Sequence, residues 1–551
     1  AMIAKEHDPD IEPTIFYIDI RAFGKGFESF YESAKKESGV RFVRSQISSV
    51  KENPANHSLL LRFVDQTDGQ NIVEEEFDMV VLSVGLVANP SIEQTGNIMD
   101  VRRNQFGFFE EKSLQPLTSS KEGIYLCGVG NGPKDIPETV MQGSAAAALC
   151  SEMLRSVRNT EVQTKEYPVE KKIEGAEPRI GVFVCHCGIN IASVVDVEKV
   201  SRYIETLPGV VHAEHTLYTC SQDTQKRIKE IIEEKELNRV VVASCTPRTH
   251  ESLFQETLRE AGLNKYLFEM TDIREQCSWV HQKEPAKATQ KAKSLVRGSV
   301  GKSRLQEPIV LNKISVNRSA LVIGGGISGM NASLSLANQG FKVHLVERDN
   351  QLGGNLIYLR KNLDDEDWIA YMNQKIKEVK EHELIDLYMN TTVHSVSGSV
   401  GNFTSRLQGD HEVDIDHGVI LLATGAEEYK PGEFLYDSYD QVITQRELES
   451  EIEKRERFNT VVMIQCVGSR DEDHAYCSRV CCSEAIKNAI EIKQKDPDAE
   501  VYILYRDLRT YTYREIFYRN ARKLGVKFVH FPDKEYPEVT AGNDRFQVKV
   551  K

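Results

Sequence analysis

The first 23 residues of this chain are written a second time near its other end. Residues 1–23 align without a gap on residues 489–511, and ten of the 23 positions are identical. The matches are Ala1/Ala489, Lys5/Lys493, Asp8-Pro9-Asp10/Asp496-Pro497-Asp498, Glu12/Glu500, Ile15/Ile503, Tyr17/Tyr505, Asp19/Asp507 and Arg21/Arg509. After small gaps the register resumes at Gly39-Val40 against Gly525-Val526 and at Phe42-Val43 against Phe528-Val529. So long a period marks a duplicated module rather than a solenoid. The chain is therefore expected to begin partway through one copy and stop partway through the next, as a piece of a tandem protein. A circular permutation is the competing arrangement, with residues 78–155 completing the half-domain begun at Ala320. It would move a segment without copying it.

Ala320–Ile323 reads as an apolar strand that runs into Gly324-Gly325-Gly326-Ile327-Ser328-Gly329, a Gly-x-Gly-x-x-Gly loop followed by a helical run to Gly340. Val343–Val346 is a second strand, ending in Glu347, 18 residues after Gly329. Such glycines let backbone approach a pyrophosphate at a helix N-terminus, and the acid accepts from ribose hydroxyls. Gly353-Gly354 just past the acid resembles flavin enzymes more than dehydrogenases, and the Val419–Ala423 strand turns at Thr424-Gly425. The candidate FAD contacts here are Gly324, Gly326, Gly329, Glu347, Arg348, Gly354, Thr424 and Gly425. NAD, or a site that has lost its ligand, are the alternatives.

The N-terminal part reads as the matching back end. Phe77–Ser83 is predicted to be a strand stopping at Gly85. Gly123–Cys127 leads to Gly128, to Ile136-Pro137-Glu138 and to a small-residue helix around Gly143–Ala148. In two-dinucleotide flavoproteins such a strand and helix close on the flavin, so Gly128 and Pro137 join the candidate contacts. Val129 stands where an acid is usual, and Asp135 is the nearest substitute. Cys127 and Cys150 lie in apolar runs and read as small core residues.

Eleven cysteines without a signal peptide, several in short motifs, point to a reducing compartment and to metal or redox use rather than disulfides. Cytoplasm is the expected location. No apolar run approaches the roughly 20 residues of a membrane span. A net charge of -14 lacks the basic face that nucleic-acid binding needs. Cys466, Cys477, Cys481 and Cys482, spaced C-x10-C-x3-C-C, stand where a second dinucleotide-binding domain would carry its glycines. Val461–Gly468 lacks Gly-x-Gly-x-x-Gly, so no nicotinamide is expected there. Four converging thiolates hold an iron-sulfur cluster or a tetrahedral zinc. Neighbours on a flat strand point to opposite sides, so the vicinal pair needs a turn or helix start, and Cys482–Lys487 reads as one. A Cys481-Cys482 redox pair in a self-contained disulfide or polysulfide reductase is the rival use.

Residues 179–305 form a separate α/β stretch in which strands end at Cys185-His186-Cys187, Cys220 and Cys245, with Cys277 opening a helix. Strand ends converge at the carboxyl edge of a parallel sheet, where such folds place ligands. Five thiols compete for four positions, and Cys185 and Cys187 remain equal choices. His186 reads as a hydrogen bonder rather than a ligand, and Arg248, His250 and Arg274 as charges that favour a reduced cluster.

Val184-Cys-His-Cys-Gly-Ile-Asn-Ile191, Ala243-Ser-Cys-Thr-Pro-Arg248, Ile273-Arg-Glu-Gln-Cys-Ser-Trp-Val-His281 and the C-terminal quartet resemble the A subunit of heterodisulfide reductase, over nearly the whole chain. Residues 1–155, with Gly132-Pro-Lys-Asp-Ile-Pro137, resemble the back half of that protein. The resemblance implies an α/β chain of thioredoxin-reductase-like, two-dinucleotide-binding flavoprotein halves plus a separate parallel α/β iron-sulfur domain. Its parts would be a C-terminal half-module (1–155), a linker (156–178), the iron-sulfur domain (179–305), an FAD-binding half (306–458) and a quartet-bearing segment (459–551). It implies FAD, two [4Fe-4S] clusters, and a flavin that in some complexes splits electron pairs. The implied partners are heterodisulfide-reductase B/C-like subunits and a ferredoxin, hydrogenase or dehydrogenase donor in an oligomeric complex. The C-x2-C-x2-C-x3-C ferredoxin runs common in that family are missing here, which leaves low-potential wiring open. A docking scaffold without cofactors is the non-enzymatic alternative.

Overall fold

Apolar runs of four to six residues, each followed by a helix, build parallel sheets, because a parallel pair needs a crossover. The computed structural model describes residues 1–551 apart from 25, 66–70, 113, 365, 534, 544 and 551. The chain forms two units, Ala1–Arg158 with Ser315–Lys551, and Asn159–Ile314.

In the Asn159–Ile314 unit the strands Ile180–Cys185, Val210–Thr216, Arg239–Ser244 and Phe268–Asp272 are all parallel, in the order fourth, third, first, second. The first and third are buried along their whole length, which is why they read as unbroken apolar runs. Alternate side chains feed two layers. Val182, Val184 and Val241 pack toward Ala288, Ala292 and Val296 of the helix Pro285–Ser303. Phe183, Val240 and Val242 pack toward Ile228, Ile231, Phe254 and Leu258 on the other face. Part of the segment expected as a linker runs along this unit. The Tyr167 hydroxyl donates to Glu256 at 2.5 Å, and the Lys171 N–H donates to the Gly262 carbonyl at 2.8 Å.

In the other unit Ser319–Ile323, Lys342–Val346, Ile385–Tyr388 and Val419–Leu422 form a parallel sheet in the order third, second, first, fourth. Thr460–Ile464, Glu500–Tyr505 and Lys527–His530 form a second parallel sheet in sequential order. The duplicated sequence proves to be a duplicated strand-helix-strand piece. Thr14–Tyr17 pairs with Arg41–Arg44 in the register Ile15↔Phe42, and the equivalent strands pair as Ile503↔Phe528.

Two expectations fail in the N-terminal part. The strand Asn71–Phe77 ends where the next one was predicted to begin, and residues 78–89 take no regular structure, with Val81, Leu82 and Val84 exposed. An apolar run becomes a strand only where a sheet edge accepts it, and no described strand pairs with this one. Gly123–Cys127 makes a single bridge, Tyr125 to Thr118, so Cys127 is exposed and Cys150 half-buried rather than both being core residues. The small-residue helix does form, as Ile136–Met153, and its C-terminal end is tied to the helix Ile327–Asn338. Asn338 Nδ2 donates to Glu152 at 2.7 Å and its carbonyl accepts from Arg155 at 2.9 Å.

Asp533 ties the two copies together by accepting from Arg506 Nε and Lys35 Nζ, each at 3.0 Å. Burial pushes its carboxyl up, but Arg506 and Lys35 outweigh that and hold it at about 2. A folded-state value below the unfolded value of about 4 means the stabilisation is present above that pH and is lost as pH falls through the folded value. Asp533→Asn is expected to cost about 1–2 kcal/mol at neutral pH. In urea unfolding the gap to the parent chain should narrow as the pH drops below about 4.

Candidate cofactor and metal sites

The dinucleotide loop is held closed by contacts that only glycine permits. Gly324 adopts φ +110 and packs on Ala423 and Thr424, where a Cβ would overlap the Ala423 carbonyl. A Cβ on Gly329, at the start of the helix Ile327–Asn338, would overlap the Gly324 carbonyl. Gly326 bridges to Gly353, and a Cβ on Gly354 would stand 3.1 Å from Gly326 Cα. Glu347 is 7% exposed; its Oε2 accepts the Gly325 N–H at 2.5 Å and its Oε1 the Asp349 N–H at 2.9 Å. Each oxygen keeps a lone pair. Gly324, Gly326, Gly329, Glu347, Gly354 and Thr424 are thus brought together, and Gly425, next in the chain, takes φ +69. Arg348 is exposed and pairs with Glu427 at 2.9 Å. Gly128 is buried at φ +69 and donates its N–H to Gln142 at 3.0 Å. Pro137 is in the first turn of its helix, which Asp135 caps by accepting the Glu138 N–H at 2.7 Å.

In the Asn159–Ile314 unit, Cys185, Cys187, Cys220 and Cys245 line one small cavity of about 40 Å³ together with Arg274 and His250. Cys185 ends its strand. Cys187 and Gly188 then take positive φ, +48 and +55, a conformation rare for a non-glycine residue, which turns the backbone and brings a second thiol to the same cavity. The N–H groups of Cys187 and Thr219 donate to Cys185 Sγ at 3.3 and 3.4 Å, and Arg274 Nη1 donates to Cys187 Sγ at 3.3 Å. Burial pushes the Cys220 thiol up, and Cys185, Cys245 and Cys187 add to it. Cys277 is not in this cavity. It is fully buried, its thiol bonds the Ala288 carbonyl at 3.2 Å, and it belongs to the core layer under the helix Pro285–Ser303. His186 pairs with His215 at 2.8 Å, and Arg248 is outside the cavity lining.

The C-terminal thiols Cys466, Cys481 and Cys482 lie within electrostatic reach of Arg509. The strand Thr460–Ile464 leads to Cys466 at φ +63, and Cys481 is the first residue of the helix Cys481–Lys495, the helix start that the vicinal pair requires. Arg509 acts on three of the thiols, on Cys466 and Cys481 by charge and on Cys482 through its backbone. Burial pushes the Cys466 thiol up to about 11, with Cys481 adding to it and Arg470, Arg506 and Arg509 opposing. Cys481 is lowered to about 7 by the hydrogen bond from Cys482, by the helix-start amides and by Arg509, against its burial.

Among the described residues no three His, Cys, Asp or Glu side chains stand close enough together to hold a metal ion as they are placed. The quartet nevertheless has unmet donors beside it. Arg470 Nη1, Arg509 Nη2 and Gln465 Nε2 are buried without hydrogen-bond partners. Such atoms are costly unless something accepts from them. Neither arginine was singled out from the sequence, although for Arg509 the repeated Asp19-x-Arg21 and Asp507-x-Arg509 carried the signal.

The family model for pyridine nucleotide-disulphide oxidoreductases matches residues 318–464. The chain is 36% identical over 454 residues to the iron-sulfur A subunit numbered 1 of CoB–CoM heterodisulfide reductase in Methanopyrus kandleri, covering 64% of this chain and 68% of that protein. It is 36% identical over 458 residues to the A subunit of H2:CoB-CoM heterodisulfide,ferredoxin reductase of Methanothermobacter marburgensis, covering 65% and 70%. It is 32% identical over 465 residues to the A subunit of ferredoxin/F420H2-dependent CoB-CoM heterodisulfide reductase of Methanosarcina acetivorans, covering 66% and 58%. Among solved structures, Lactococcus lactis thioredoxin reductase aligns with 42% of this chain and 70% of its own, at 18% identity and a TM-score of 0.29.

Proposed function

Because the chain belongs to the family of heterodisulfide reductase A subunits, we propose that it is the FAD- and iron-sulfur-bearing electron-transfer component of a heterodisulfide-reductase-like complex. FAD, when bound, exchanges electrons in pairs, and [4Fe-4S] clusters pass them singly. Gly324, Gly326 and Gly329 present backbone to the cofactor's pyrophosphate, and Glu347 fixes the loop through Gly325 while keeping lone pairs for the ribose. Cys185, Cys187, Cys220 and Cys245 would hold one cluster, with Arg274 donating to it. Cys466, Cys477, Cys481 and Cys482 would hold the other.

The observation that carries this reading is the set of unmet donors beside the C-terminal thiols, Arg470 Nη1, Arg509 Nη2 and Gln465 Nε2. A four-thiolate zinc brings no acceptor beyond its own ligands, whereas a cluster brings inorganic sulfides that accept. Nicotinamide entry at the second sheet is opposed by Tyr429, whose ring fills the space beside Gly468. Electrons would instead come from a partner, a ferredoxin or a hydrogenase- or dehydrogenase-type donor, and leave toward B- and C-like subunits. A chain joining one two-electron cofactor to two one-electron sites suits the splitting of pairs between high- and low-potential acceptors. No helix among the described residues is long and apolar enough to cross a membrane.

The anaerobically purified full chain is expected to carry one flavin and about eight iron and eight acid-labile sulfide atoms. Zinc without sulfide would overturn the cluster assignment. Flavin without iron would favour a Cys481-Cys482 disulfide reductase, and neither cofactor would leave a docking scaffold.

A further inference from the structure

Arg21 and Arg509, like Asp19 and Asp507, occupy the same places in the two copies of the repeat. In the folded chain each copy grips the other in the same way. The Asp507 carboxylate accepts the Ile20 N–H at 2.9 Å, and the Asp19 carboxylate accepts the Leu508 N–H at 3.3 Å. Ile20 and Leu508 are themselves equivalent positions. Arg21 pairs with Glu515 at 2.6 Å, and Arg509 with Glu28 at 2.5 Å. These glutamates match as well, since Glu28-Ser-Phe-Tyr31 and Glu515-Ile-Phe-Tyr518 open the helices Phe27–Lys36 and Glu515–Lys523. Between the copies Phe23 stacks on Tyr511, its own counterpart, with ring centroids 4.1 Å apart and planes 16° from parallel. In a two-fold contact residue i meets j and j meets i, and only a residue on the axis meets itself. A local pseudo-two-fold therefore passes through this stack.

The two ion pairs share a geometry but not an environment. The side chains of Arg21 and Glu515 are 32% and 36% exposed, whereas those of Arg509 and Glu28 are 2% and 4% exposed. Glu28 also pairs with Arg470 at 2.7 Å, and Arg470 with Asp507 at 2.9 Å. Arg470 and Arg509 are cations that act on the C-terminal thiols, and two carboxylates offset them, Asp507 from their own copy and Glu28 from the opposite one. Adding an electron to a cluster adds negative charge. Buried arginines favour that step, and a carboxylate bound to them restrains it. We propose that Glu28, delivered across the pseudo-two-fold, sets the charge around Cys466, Cys477, Cys481 and Cys482 and with it the reduction potential of the cluster they hold. The redox site is then built from two modules rather than one. This rests on the cluster assignment proposed above.

The test is an EPR-monitored redox titration of the anaerobic full chain, in a Cys185→Ala background so that only the C-terminal cluster contributes. Glu28→Gln is expected to move the midpoint to a more positive potential. Glu515→Gln, its mirror image at the exposed pair, is expected to leave it in place, and Glu28→Asp, which keeps the charge, to stay near the parent value. An unmoved midpoint in Glu28→Gln, or an equal shift in Glu515→Gln, overturns the proposal. If Glu28→Gln does not fold, the swapped pair Glu28→Arg with Arg509→Glu puts a carboxylate beside the thiols. It must then shift the midpoint to a more negative potential, and an unmoved one again overturns the proposal. A chain with no iron at the quartet removes the cluster assignment itself and this inference with it.

Discussion

Replacing Cys185 by alanine is expected to cost the chain one of the two proposed clusters, about four iron atoms, while replacing Cys277 is expected to cost none. The two thiols lie in one small unit and are both buried, so burial does not separate them. Their neighbours do. Cys185 Sγ already receives two backbone N–H groups, from Cys187 and Thr219, and shares its cavity with three other thiols and Arg274. Such N–H···S bonds are what a cluster thiolate needs in place of water. Cys277 faces the helix on one side of the sheet and is packed among Ala288 and Ala292, so its loss leaves a small cavity worth roughly 1 kcal/mol. Iron and acid-labile sulfide assays on both variants decide the matter. Iron lost from Cys277→Ala and retained in Cys185→Ala would show that the wrong four thiols have been grouped.

Gly329→Ala is expected to empty the flavin site. The added methyl would overlap the Gly324 carbonyl, and Gly324 is itself wedged against Ala423, so neither side of the loop can retreat. Overpacking of that kind costs about 1–3 kcal/mol, which corresponds to about 5- to 150-fold in affinity when it falls on the bound geometry. Flavin retained after dialysis is the measure. Gly298→Ala is the control: it lies in the helix Pro285–Ser303 with nothing within 4 Å of an added Cβ. It is expected to keep the flavin and to gain up to about 1 kcal/mol in helix propensity. A Gly329→Ala chain that stays fully yellow would mean the cofactor does not rest on this loop.

The glycine loop and the thiol-bearing strand ends were legible because their signals are local. A strand, a turn and a helix start stand next to one another in sequence, and Gly324, Glu347, Cys185 and Cys245 fall where that order puts them. The choice among five thiols was not legible, since it depends on which way the turn Arg274–Ser278 aims Cys277. The apolar run after Phe77 was misread for the opposite reason. Its composition suits a strand, but a strand also needs a neighbouring edge, which composition does not encode. Glu28 was invisible as a site residue, because the arginines it serves lie more than 400 positions away in the chain.

The stack of Phe23 on Tyr511 has a consequence for how such a joint can evolve. In a protein that pairs with a second copy of itself, a residue on the axis is encoded once and met twice, so every substitution there is made on both sides. With both copies in one chain, the two positions answer to separate codons. Divergence has begun: Tyr511 carries a hydroxyl that accepts from Arg479 and Arg514 at 3.2 and 3.0 Å, while Phe23 has none to offer. One side of the joint can therefore drift and specialise while the other holds the packing constant.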